Sequence, residues 1–225
     1  MRLLAIAVAL LCAGSANAQD LSGWYAGLSG TVGNSSSLQF NSFALKPSAD
    51  RFGGFVGYDT YDGDWLLGME GSLDAEIRRS RRSEEVVLPV GGVTTIRYDL
   101  SSSYREIAAP TLSVRLGKRF GQFLAYGKVG AGLAVVRVAN DSGADCPVDE
   151  NGYVIGCDVA GVKLNFSETK VLPAVNLGLG VQYDFGKAFV RSEFQMRQVF
   201  INDADWTSTN HATQALGNFA IGVRF

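Results

Sequence analysis

The chain has 225 residues with 22 acidic and 20 basic side chains, and its formal charge of −2 gives no reason to expect nucleic acid as a partner. Apolar residues make up 47% of it, yet beyond the amino terminus no stretch reaches the roughly 17 to 25 residues of a membrane helix without a charge or a glycine. Its 27 glycines and the dispersal of apolar residues by alternation mean strands.

Residues 1–18 read as a secretory signal peptide. Met1 and Arg2 precede the apolar run Leu3 to Ala13, and Ala16-Asn17-Ala18 is a small-residue cleavage site. Gln19 would then open a mature chain over 19–225, expected to form one domain. Cys12 lies in the signal, so no lipid-acceptor cysteine stands at the cleavage point. Cys146 and Cys157 remain. In an oxidising periplasm such a pair in one loop is expected to form a disulfide, whereas two thiols without a nearby histidine give only half a zinc site. No metal, cofactor or catalytic set is expected.

Period-two alternation predicts eight strands. The first, Trp24 to Gly33, sets Trp24, Ala26, Leu28 and Val32 against Tyr25, Ser29 and Thr31. The second, Arg51 to Thr60, puts Phe52, Val56 and Tyr58 on one face. In the third, Trp65, Leu67, Met69, Leu73, Ala75 and Ile77 oppose Glu70, Ser72, Asp74 and Glu76. The fourth, about Ile107 to Gly117, sets Leu112, Val114 and Leu116 against Thr111, Ser113 and Arg115. The fifth runs from Phe123 to Val138, with Val129, Ala131, Leu133 and Val135 facing away from Lys128. The sixth lies near Thr169 to Phe185. The seventh opposes Arg191, Glu193, Gln195 and Arg197 to Val190, Phe194, Met196 and Phe200. The eighth, Thr213 to Phe225, puts Phe219, Ile221, Val223 and Phe225 on one face and closes on an aromatic residue, which suits a membrane interface.

Long connections at 34–50, 78–106, 139–168 and 201–212 alternate with tight turns at Tyr61 to Asp64, Lys118 to Gln122 and Gly186-Lys187. An even number of antiparallel strands with long loops at one end only is the plan of a bacterial transmembrane barrel with periplasmic termini. A secreted barrel with its apolar face turned inward would alternate in the same way. Against that stand the glycines and charges on the polar faces, the one-sided loops and the terminal aromatic. Trp24, Tyr58, Trp65, Phe123, Tyr183, Phe185 and Phe225 also gather at the short-turn ends, where an interfacial girdle belongs. The fold class expected is therefore all-β: an eight-stranded antiparallel up-and-down transmembrane β-barrel in the bacterial outer membrane.

The motifs GWYAGLSG (23–30), GMEGSLDAE (68–76), LAYGKVGAGLA (124–134), LGLGVQYDF (177–185), VRSEFQMR (190–197) and the closing GNFAIGVRF carry a resemblance to the opacity-protein-like outer-membrane β-barrels, related in form to the small OmpA- and OmpX-type barrels. That resemblance implies a surface protein used in envelope integrity, adhesion or narrow permeation. It also implies a terminal strand, with Phe219, Ile221, Val223 and Phe225, that the outer-membrane barrel assembly machinery reads.

An eight-stranded barrel has room inside only for side chains. The polar faces would bring in Arg115, Lys128, Lys170, Arg191, Arg197 and Arg224 with Asp59, Glu70, Asp74, Glu76, Asp184 and Glu193. Paired in this way they make a salt-bridged plug rather than a water channel. Glu70, Lys128, Glu193, Arg115 and Arg191 should meet at one level once shear is allowed for.

The lone histidine, His211 in TNHATQ, bears a faint resemblance to the lipid A deacylase barrels, but Thr213 stands where their serine would, and no carboxylate follows. Arg78, Arg79, Arg81 and Arg82, where strand three leaves the outer leaflet, are candidates for lipopolysaccharide phosphates. Glu84 and Glu85 follow them at once, so a solvated loop edge is the competing reading. Val86 to Val90 and Val93 to Leu100 look like a hairpin that carries strands three and four above the membrane, its edges free for a partner strand. The function expected is envelope structure and surface interaction or adhesion through the external loops, with outer-membrane lipid and a host or cell-surface ligand as partners. A narrow porin for small solutes is the alternative, and a lipid A-modifying enzyme the third reading.

Overall fold

The computed structural model describes residues 22–36, 38–40, 43–45, 49–77, 80–90, 94–145, 164–201 and 211–225. The signal-peptide segment, Arg78, Arg79, Cys146 and Cys157 lie outside them. The described strands are β1 (Gly23–Ser35), β2 (Leu38–Phe40), β3 (Phe43–Leu45), β4 (Arg51–Asp62), β5 (Trp65–Glu76), β6 (Ser80–Val90), β7 (Thr94–Phe120), β8 (Phe123–Asp145), β9 (Leu164–Phe185), β10 (Ala188–Phe200) and β11 (His211–Arg224). Eight of them form a ring of antiparallel neighbours, β1-β4-β5-β7-β8-β9-β10-β11, which closes where β1 pairs with both β4 and β11. Closure satisfies every strand edge within the bilayer, which lipid could not do.

Three turns join the strands tightly: Asp62 pairs with Trp65, Phe120 with Phe123 and Phe185 with Ala188, leaving two residues in each loop. The first loop residue is Gly63, Gly121 or Gly186, at φ 59°, 65° and 73°. A positive φ at that position twists the turn with the strands, and glycine adopts it without a Cβ clash.

Residues facing outward between the turns and the loop end are apolar and exposed, among them Leu28, Val56, Met69, Leu112, Val129, Leu177 and Ile221. Charged residues face inward and are buried, so the apolar face is the outer one. Trp24 packs edge-on to Tyr58 at 5.4 Å, and Tyr183 against Phe123 and Phe185 at 4.8 and 4.6 Å, forming an aromatic band beside the short turns.

Shear follows from the register. Stepping from partner to partner, Tyr25, Gly57, Glu70, Ser113, Gly130, Asn176, Arg197 and Gln214 lead back to β1 at Ser35, ten residues above the start. With eight strands this corresponds to a tilt of about 40°. Residues in register are therefore not at equal heights, and luminal neighbours are offset along their strands.

Beyond the ring, β7, β8 and β9 continue upward, and β6 pairs with β7 from Ser80 opposite Tyr104 to Val90 opposite Thr94. A β-bulge between Glu106 and Ala108 inserts Ile107 opposite β8. It sits where β7 changes partner from β5 to β6, between Ala109 and Tyr104.

Candidate functional site

The lumen is filled by side chains in stacked layers. Nearest the short turns, Asp59 on β4 accepts from Arg115 on β7 at 3.4 Å and from Arg224 on β11 at 3.1 Å. Arg224 also lies 3.6 Å from Asp184 on β9, while Gln182 links Arg115, at 3.2 Å, to Asp184, at 2.8 Å. Arg115 is fully buried and stands over the Tyr126 ring, 4.2 Å from its centroid.

Glu70 centres the next layer. Its carboxylate accepts from Arg191 at 2.5 Å, Tyr25 at 3.0 Å and Lys128 at 3.2 Å. Lys128 reaches on to Glu193 at 2.7 Å, and Glu193 also accepts from Gln195 and from the Tyr126 hydroxyl. The Arg191 guanidinium is caged by Phe55, Phe189, Tyr25 and Tyr126, at 4.7 to 5.7 Å from their ring centroids. Its Nε and Nη2 have no oxygen partner, so the rings take the place of hydration there.

Glycine makes this layer possible. A Cβ on Gly57 would strike the Tyr25 ring, one on Gly180 the Tyr126 ring, one on Gly27 that of Phe55 and one on Gly222 that of Phe189. Each glycine is the register partner of the ring it accommodates, so an inward aromatic lies flat over its neighbour's bare backbone.

The upper ionic layer joins Arg51 to Glu106 at 2.8 Å and Arg197 to the same carboxylate at 2.7 Å, with Gln214 accepting from Arg51 at 2.6 Å. At the bulge, the Glu106 amide donates to Glu76 at 2.5 Å. Above lie Tyr104, Val136, Val138, Leu172, Val199 and Ile201, an apolar cluster inside the loop end. Between the two ionic layers is a polar chamber of about 30 Å³, with Asp74, Asn176 and Asn218 in its wall. Asp74 accepts from Ser29 at 3.3 Å.

The sequence matches the outer membrane protein beta-barrel domain over residues 3–225. The chain belongs to that family. It is a protein of the bacterial outer membrane, with its short turns at the periplasmic end. Among solved structures it is similar to Ail, the attachment invasion locus protein of Yersinia pestis, at 16% identity over 91% of this chain and 99% of that one, TM-score 0.41. It is similar to the neisserial surface protein NspA, at 13% over 91% and 98%, TM-score 0.44. It is also similar to the outer membrane protease OmpT of Escherichia coli, at 9% over 90% and 97%, TM-score 0.38. No curated protein sequence matches it.

In this outer-membrane barrel, Glu70, Arg115, Lys128, Arg191 and Glu193 come together in the lumen, and Arg197 joins the layer above. Asp74 lines the chamber instead of entering an ion pair with either layer. Lys170, expected in the lumen, pairs with Glu168 at 3.5 Å in the part of β9 above the upper layer. Phe219, Ile221, Val223 and Phe225 face outward, and the Phe225 amide donates to the Trp24 carbonyl at 3.0 Å across the closing seam. His211 is exposed at the start of β11, opposite Phe200. Arg81 and Arg82 are in register with Ser103 and Ser102 on β7, above the ring.

Two residues of the ionic layers are absent from the set expected from sequence. Arg51 shares the face of Asp59 and is legible from the alternation of β4 alone. Glu106 is not, because the bulge reverses the alternation between it and Arg115, and nothing local in the sequence announces a bulge.

Proposed function

We propose that this protein is a non-conducting, non-enzymatic barrel whose work is done outside the outer membrane, by the sheet that rises above the ring and the loops joined to it. The observation that carries the reading is Lys128, bridged to Glu70 and Glu193 at 3.2 and 2.7 Å in the middle of the lumen. Buried ions paired this closely are held by mutual attraction and by the loss that separating them would bring, so the layer resists hydration. What supports the external role is the backbone of the extension. Among the described residues, β6 has a ladder partner on one side only, and β9 above Ala174 has none on the side of β10. An edge without a ladder partner among the described residues can accept an added strand from another protein, and an adhesive contact is the use this reading assigns these two.

Recording from the purified, refolded protein in planar lipid bilayers tests the plug. No stepwise conductance is expected at potentials that leave the bilayer intact. Steady unitary currents from the wild-type protein would replace this reading with the narrow porin.

A further inference from the structure

Arg105 on β7 and Arg137 on β8 are direct cross-strand partners, both exposed on the outer face of the barrel wall. Like charges directly opposite each other in an antiparallel pair are destabilising, and normally an acidic neighbour relieves them. Neither arginine has an ion pair among the described residues. The acidic neighbour Glu106 points into the lumen, where it binds Arg51 and Arg197. Arg137 instead donates through Nε to Ser167 on β9 at 2.9 Å, which anchors its guanidinium on the outer face and leaves its two Nη groups for another acceptor. Thr169, in register with Arg137, adds a hydroxyl position to the same row.

The height of the pair sets the ligand class. Directly below stand Ile107, Val135 and Val171, the last apolar residues of the lipid-facing wall, and Arg105 and Arg137 begin the polar surface above them. That boundary is where outer-leaflet head groups lie. Lower on the same two strands, and on β5, the wall is hollowed: Gly71, Pro110 and Ala131 form a groove flanked by Leu73, Leu112 and Leu133. A Cβ on Gly71 would meet only the Val56 carbonyl at 3.9 Å, so the groove is open to lipid. Four residues of β8 separate Leu133 from Arg137, about 13 Å. An acyl chain in the groove and a phosphate at the arginines would span that interval.

From this placement we infer that the β5-β7-β8 wall is a binding site for a phosphorylated outer-leaflet lipid, with Arg105 and Arg137 clamping the phosphate and the groove taking one acyl chain. Two arginines at facing positions on neighbouring strands bring several N–H donors to one patch of the outer face, the chemistry that suits phosphate oxygens. Glu76 lies within electrostatic range of Arg105 but makes no ion pair with it, and the anion supplies the direct countercharge. The site depends on the outer-membrane placement alone and not on the lumen being closed.

The test uses the full-length protein in phosphatidylcholine nanodiscs doped with lipid A or with chemically dephosphorylated lipid A, and reads retained lipid by native mass spectrometry. The wild type should retain the phosphorylated form at least about tenfold better, a difference of about 1.4 kcal/mol. R105Q/R137Q should lose that preference. G71L, which fills the groove, should lower retention of both forms and keep the preference. In phosphatidylcholine alone, R105Q/R137Q should unfold no more readily than the wild type, because it removes a repulsion. Equal retention of the two lipids by the wild type, or an undiminished preference in R105Q/R137Q, would overturn the clamp. Unchanged retention by G71L would overturn the groove, and a loss of stability in R105Q/R137Q without lipid A would make the arginines structural.

Discussion

Arg51 and Glu106 meet in the lumen at 2.8 Å, although counting in twos along β7 from Arg115 puts Glu106 on the lipid side. The bulge at Ile107 supplies the extra residue that turns Glu106 inward, and the Glu76 carboxylate binds the Glu106 amide just where β5 stops pairing with β7. Glu106 then serves two cations, Arg51 and Arg197, and the upper ionic layer depends on it.

Replacing Glu106 with glutamine should therefore leave two buried guanidiniums uncompensated. The expected cost is about 3 to 5 kcal/mol, read from urea unfolding of the barrel in lipid vesicles by tryptophan fluorescence. Adding Arg51→Met should recover part of the loss, because the two residues share one network. An additive double variant would show that the pair is not coupled.

Deletion of Ile107 should do more damage than its replacement by valine. The Ile107→Val change keeps the bulge and removes one methylene, worth about 0.5 to 1.5 kcal/mol at most. Deletion restores unbroken alternation and puts either Glu106 or Arg115 in lipid. Heat-modifiable migration on gels reports the folded barrel, and a deletion variant that folds like the wild type would mean the bulge is dispensable.

In the middle layer, Glu70→Ala removes the acceptor of Tyr25, Lys128 and Arg191 together. We expect either destabilisation of about 3 to 5 kcal/mol or hydration of the layer, seen as a new small conductance in planar bilayers. A variant of wild-type stability that stays silent would remove Glu70 from the plug.

The glycines under the rings offer a cleaner contrast. Gly57→Ala and Gly180→Ala push a methyl into Tyr25 and Tyr126, and should cost about 1 to 3 kcal/mol each, as overpacking does. Gly30→Ala meets nothing within 4 Å and should be neutral, or stabilising by about 0.5 to 1 kcal/mol. The comparison fails if all three variants unfold alike.

Phe225 lies exposed at the end of the closing strand, its amide bound to the Trp24 carbonyl. Its ring adds nothing to the lumen, so Phe225→Asp should leave the purified, refolded barrel near wild-type stability while lowering its yield in the outer membrane of cells. Fractionation followed by heat-modifiability separates the two effects. Equal membrane yields would remove the assembly role given to this residue.

The strands, their facing below the bulge and the short turns at one end were determined by the sequence itself. Alternation is a local property: each residue's side is fixed by its neighbour's, and a terminal turn needs only its glycine. By that rule Tyr25, Glu70, Arg115, Lys128, Arg191 and Glu193 all had to share the polar face. Which of them touch was decided only by the closed barrel. Ten residues of shear over eight strands bring Glu70 against Arg191 and Lys128, 121 and 58 positions away. The upper layer rests on a bulge whose single extra residue leaves no mark in the alternation around it, and the Arg105–Arg137 pair exists only because β7 and β8 run in that register above it. Facing is written residue by residue, whereas register and shear belong to the ring as a whole. They emerge only when the last strand has paired with the first.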